Sequence, residues 1–169
     1  MEGGQTKLNN GLVIGVFISI VVLVLFAGLF FKGVSKDSDQ PQAILAGQIV
    51  NIEIVEGEED LARGLSDHNV LGENNGMLFL LDGYYLPGIW MKDMDFAIDI
   101  IFIRDDVVVS YDKNAQPETG DNLTVYKPKT FVNRVLEVNS GFIDKYNLKI
   151  GDKVKFKNID KNNNKVLEY

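Results

Sequence analysis

Ala97-Ile98-Asp99-Ile100-Ile101-Phe102-Ile103-Arg104-Asp105-Asp106-Val107-Val108-Val109-Ser110-Tyr111 decides what kind of fold this chain adopts. Two runs of β-branched and aromatic residues flank a two-residue acidic turn, the pattern of an antiparallel hairpin with strands over 96–104 and 107–111. In the first strand Ile98, Ile100 and Phe102 share one face, while Ala97, Asp99, Ile101 and Ile103 share the other. Both faces are apolar, so Asp99 is carried into low-polarity surroundings whichever side is the core. An unpartnered carboxylate there costs several kcal/mol, so this one is expected either to be paired or to line a solvent-filled cleft.

Further strands follow on both sides of the hairpin. Residues 48–55 alternate, with Val50, Ile52 and Ile54 opposite Asn51 and Glu53, as a half-buried strand does. The continuous apolar run 76–81 predicts a strand buried on both faces, ended by an Asp82-Gly83 turn. Shorter strands are expected at 89–91, 123–126, 131–138 and 154–156, with 112–122 a polar loop. Residues 58–65 predict a short helix with an acidic first turn and Gly64 in the left-handed closing position. A second brief helix is expected at 141–146, capped by Asn139 or Ser140. The fold class is mostly β (α+β): a small β-barrel or sandwich of six to eight short strands with two short helices.

Ahead of this domain, residues 12–31 carry no charge. As a helix they span about 30 Å, the hydrocarbon thickness of a bilayer. The run is too long for a signal-peptide core and ends Leu29-Phe30-Phe31-Lys32, a poor cleavage site, and no cysteine follows for lipoprotein processing. An uncleaved single-pass anchor is therefore expected, with the lipid bilayer as its partner. Lys7 on one side and Lys32 with Lys36 on the other nearly balance, so flanking charge leaves the orientation open. The spacings Gly11–Gly15 and Gly15–Ser19 suit helix packing but are common in membrane helices anyway. The expected order is a tail at 1–11, the anchor at 12–31, a linker at 32–45, the β domain at 46–157 and a polar tail at 158–169.

Composition excludes several chemistries. There is no cysteine and a single histidine, His68, so thiolate chemistry is absent and zinc is not expected. Setting aside Lys7, Lys32, Lys36 and Glu2, the chain from Asp37 onward carries 14 basic against 23 acidic residues, a balance of −9. Such a domain repels nucleic-acid backbones and is not expected to bind DNA or RNA. His68 reads as a solvated loop residue. The alternating oxygen ligands from Asp160 to Asn164 begin like a calcium loop but lack its sixth-position Gly and twelfth-position Glu, and read as a solvated tail. No cofactor or metal is expected.

Glu137 repeats the problem of Asp99, because it lies between Val135 and Asn139 on a strand whose other face is Leu136 and Val138. Arg63, Lys92 and Arg134 are the cations available to these acids. Two readings stand side by side: a buried ion-pair network that fixes strand register, or a polar pocket built from Arg63, Trp90, Lys92, Asp99, Glu137 and Asn139. Trp beside ionisable groups is a common lining for a small polar ligand such as a sugar. A hydrolase would further need Asp99 and Glu137 about 5–10 Å apart across a cleft.

Six blocks in order, Arg63-Gly64-Leu65, Gly76-Met77-Leu78-Phe79, Trp90-Met91-Lys92, residues 98–103, residues 135–141 and Gly151-Asp152, resemble the family catalogued as domain of unknown function 192. The resemblance runs from about Gln48 to Phe156. It implies a compact, mostly β fold, often preceded by an export or anchor segment, which favours an extracytoplasmic domain; it implies no activity. Ser66 stands where the family usually has Met, Asp93 where it commonly has Asn, and Ser140-Gly141 where it usually has Ala-Gly. The functional expectation is an envelope-facing, non-catalytic binding or interaction domain that takes a small polar ligand or an envelope protein. The alternatives are a small-polar-ligand (sugar-like) binding protein or a hydrolase using Asp99 and Glu137 with Lys92 or Arg63, and a purely structural role.

Overall fold

A computed structural model of the chain describes residues 40–57, 63–66 and 68–159. The expected anchor at 12–31 lies outside the described residues, as do most of the expected helix at 58–65 and the tail from 160. Among the described residues no helix is long and apolar enough to cross a membrane.

The elements are β1 (Gln42–Leu45), β2 (Gln48–Val55), β3 (Asn75–Tyr85), β4 (Ile98–Arg104), β5 (Val107–Ala115), β6 (Val132–Asn139), α1 (Phe142–Tyr146) and β7 (Lys155–Lys157). They form one seven-stranded sheet in the order β5-β4-β6-β3-β2-β1-β7, curled into a half-barrel. The mostly β class is as the sequence predicts, but the sheet is neither a closed barrel nor a two-sheet sandwich. All neighbours are antiparallel except β2 and β3, whose parallel pairing requires the crossover through residues 56–74.

The middle strands explain the single layer. All of β4 except Arg104 is buried, and β6 is buried from Arg134 to Val138. Their residues feed two cores, one on each face. One core joins Leu78, Ile101, Leu136 and Val138 to Phe142 and Ile143 of α1. The other joins Met77, Phe79, Ile100 and Val135 to Met91 and Leu65 from the loops. Each fully buried Ile, Leu or Phe contributes about 1.5–3 kcal/mol, so these strands dominate the stability of the sheet.

Several boundaries differ from the sequence expectation. The expected linker 32–45 ends in β1, because Ala46 and Gly47 both take positive φ (47° and 74°) and reverse the chain into β2 as a two-residue hairpin turn. The strand β3 does not turn at Asp82-Gly83; it runs on to Tyr85 across a register irregularity after Leu80. Residues 112–115, expected in a loop, extend β5. The expected strands at 89–91 and 123–126 reduce to one antiparallel bridge, Ile89 with Tyr126. The hairpin at Asp105-Asp106 forms as predicted, with Arg104 opposite Val107. Gly64 takes the left-handed φ of +50° expected of it.

Candidate ligand pocket

The two anomalous acids sit on adjacent central strands but point to opposite sides of the sheet. In the β4–β6 register Ile100 lies opposite Glu137, whereas Asp99 lies opposite Val138. Directly opposed residues project to the same face and successive residues alternate, so the sheet itself separates the two carboxyls. They cannot flank one bond, and the paired-carboxylate alternative loses its geometry.

Asp99 is resolved structurally. It is 1% exposed, and its two oxygens accept backbone N–H groups from Asn114 (2.8 Å) and Ile143 (2.9 Å). Ile143 lies in the first turn of α1, where amides have no intrahelical partner. Gly141, with φ +88°, stands at the cap position and offers no side chain. The expected capping by Asn139 or Ser140 is therefore replaced by a carboxylate reaching across from β4. Asn139 instead donates to the Gly72 carbonyl at 2.8 Å, clamping the crossover, and Ser140 donates to the Asn114 side chain at 2.7 Å. The cations expected to neutralise Asp99 are not its hydrogen-bond partners. Arg134 donates to the Asp105 carbonyl and stacks its guanidinium 5.3 Å from the Phe156 ring.

Glu137 has no such solution. It is 4% exposed, and among the described residues no side chain or backbone group hydrogen-bonds or ion-pairs with its carboxyl. Burial alone pushes its pKa up to about 8. Glu137 lines a pocket of about 50 Å³ together with Arg63, Phe79, Trp90, Met91 and Met94. That is room for a few waters or one small polar group.

Local structure explains why these side chains meet. The loop between β3 and β4 is strapped by the loop between β5 and β6: Ile89 and Tyr126 exchange backbone bonds of 2.9 and 2.8 Å, and Glu118 N–H donates to the Met91 carbonyl at 2.9 Å. The strap drives Met91 to full burial while leaving Trp90 45% exposed at the rim. Ser66 donates to the Lys92 carbonyl at 3.1 Å, tying the Arg63–Ser66 turn to the same loop. Asp93 has φ +55°, a left-handed conformation that Asn and Asp adopt more readily than other side chains. An Asn at this position would meet the same backbone requirement, and Asp93 does not line the pocket.

Of the six residues expected in a polar pocket, Arg63, Trp90 and Glu137 come together here, whereas Lys92, Asp99 and Asn139 do not line it. The apolar members Phe79 and Met94 carried no sequence signal, because a residue facing a small pocket is indistinguishable by pattern from one facing core. His68 differs from the solvated residue expected: its Nε2 lies 3.4 Å from Glu53 Oε2, and its Nδ1 is buried without a partner.

The profile of the domain of unknown function 192 (DUF192) family, described as an uncharacterized ACR, matches residues 42–156, more than half of the chain. The chain belongs to the DUF192 family. The match begins at the first residue of β1, in agreement with the structural start of the DUF192 domain. Two solved structures resemble it. One is a protein of unknown function from Novosphingobium aromaticivorans, 28% identical, covering 68% of this chain and 83% of its own, with a TM-score of 0.63. The other, from Sinorhizobium meliloti, is described as a "putative transcription regulator"; it is 22% identical, covers 71% of this chain and 94% of its own, with a TM-score of 0.64. At that identity the second likeness shows the fold alone. No curated protein matches the chain.

Proposed function

We propose that this DUF192 chain is a single-pass membrane-anchored, envelope-facing binding module that performs no chemistry itself and takes a small polar ligand into the pocket beneath Trp90. One observation carries the reading: Glu137 is a buried acid with no hydrogen-bond or ion-pair partner among the described residues, and it lines a pocket that the half-exposed Trp90 also lines. A group left so costly in isolation is relieved when a ligand supplies the missing hydrogen bonds. A binding role rather than a hydrolytic one is supported by the position of Asp99 on the other face, where it is consumed by two backbone amides. The uncharged run 12–31 supports the anchor, and the acid excess beyond it supports a soluble domain that stands clear of anionic head groups.

Thermal denaturation of the full chain in detergent micelles, against sugars, amino acids, small amines and nucleotides, tests this reading. A ligand present at 100 times its Kd stabilises by about 2.7 kcal/mol, a rise of several degrees in Tm. The rise should vanish in Glu137→Leu, which keeps the volume and burial but removes both oxygens. If no class of compound raises the Tm of the natural chain, the binding reading is wrong.

A further inference from the structure

The surroundings of Glu137 also select the class of ligand. Among the described residues, Arg63 is the one other charged group lining the pocket, and it is exposed and has interactions of its own. The rest of the lining includes Phe79, Met91 and Met94, all buried, and Trp90, which is 45% exposed. Aromatic faces attract cations through their quadrupole, and a buried carboxylate is best stabilised by a partner that brings the opposite charge. The excess of 23 acidic over 14 basic residues beyond the anchor adds a field that gathers cations and turns anions away. Metal ions are poorly matched: hard cations take six or more oxygens, and no cluster of three acidic or histidine ligands exists among the described residues.

We propose that the pocket takes a primary ammonium group, which pairs with the Glu137 carboxylate and packs against Trp90. The assignment rests on the pocket being a ligand site, as proposed above. The pocket's volume of about 50 Å³ suits a compact ammonium head with the rest of the molecule outside. The binding step conserves charge: below about pH 8, where burial favours the protonated Glu137, the arriving ammonium stabilises the carboxylate and one proton leaves for solvent. Two sources can present this group, a free small amine or a lysine side chain of another polypeptide.

Trp90 is the single tryptophan of the chain, so its fluorescence reports on the rim directly. The full chain in detergent micelles would be titrated with methylammonium, with a lysine acetylated at its α-nitrogen and amidated at its carboxyl, with acetate and with acetamide, using potassium as the ionic-strength control. Ammonium binding predicts a saturable Trp90 response whose affinity rises with pH, by up to about tenfold per unit, and levels off above about pH 8, while the amine stays charged. The response should be lost in Glu137→Gln, which folds as the neutral acid does but cannot ionise. A much tighter response to the blocked lysine than to methylammonium would assign the source to a polypeptide; equal responses would assign it to small amines. If the ammonium probes fail while acetate or acetamide gives a Glu137-dependent response, the ligand class is wrong and the pocket stands. If no probe moves Trp90 and no compound raises the Tm, both fall.

Discussion

Asp99 and Glu137 present the same sequence anomaly, an acid on an apolar strand face, and the protein treats them oppositely. Asp99 holds two amide N–H groups, joining β4 to β5 and to the first turn of α1. Replacing it with Ala leaves both donors without their acceptor, at about 1–3 kcal/mol each. Asp99→Ala should therefore lower the urea midpoint by the equivalent of about 2–6 kcal/mol, and a loss below 1 kcal/mol would show that water takes over the acceptor role. Glu137 predicts a pH dependence of definite sign. Its folded pKa of about 8 lies above the ordinary value of 4.5, so the folded state holds the proton more tightly than the unfolded state. Its stability contribution is full below about pH 4.5, declines between there and about 8, and is flat above, a total on the order of a few kcal/mol. Glu137→Gln should remove that decline, making the variant more stable than the natural chain near pH 8.5; superimposable urea-midpoint profiles over pH 4–9 would contradict it.

At the level of elements, close approach and turn chemistry decide the outcome. A Cβ added at Gly76 would lie 2.8 Å from the Glu137 carbonyl oxygen and 3.0 Å from a Val50 methyl, in the middle of the β2–β3–β6 ladder. Backbone cannot step aside there, so Gly76→Ala should destabilise by about 1–3 kcal/mol, measured by chemical denaturation, and should perturb the pocket because Glu137 belongs to the strand displaced. The strand β1 is the element that sequence reading placed in a linker. Its four residues are too few to show a period, and Ala46-Gly47 lacks the Asn or Asp that announces such a turn. A chain beginning at Ala46 loses β1 and strips its partners from both β2 and β7. It should unfold at lower urea, or less cooperatively, than one beginning at Gln40, as tested by circular dichroism. The hairpin over 98–111 and the buried run in β3 were legible because β-branched density and tight turns are local properties. The segments joined by the single bridge between Ile89 and Tyr126 look like two strands in the sequence, because short apolar runs look alike whether they pair once or repeatedly.

For the whole molecule, charge and hydropathy are divided along the chain: an uncharged run at 12–31, then an acidic domain. Full-length protein should sediment with membranes and resist a high-pH carbonate wash, whereas a chain from Gln40 should stay in the supernatant. Release of the full chain by the wash would remove the anchor from the proposal. The sequence by itself determined the mostly β class, the β4–β5 hairpin, the family and the acidic balance, because each depends on local pattern or on a sum over residues. It also marked Asp99 and Glu137 as costly. Only the tertiary structure decided which of them is met by amide donors. That depends on strand register, where a single-residue offset sends one carboxyl to the amides of Asn114 and Ile143 and the other through to the pocket beneath Trp90.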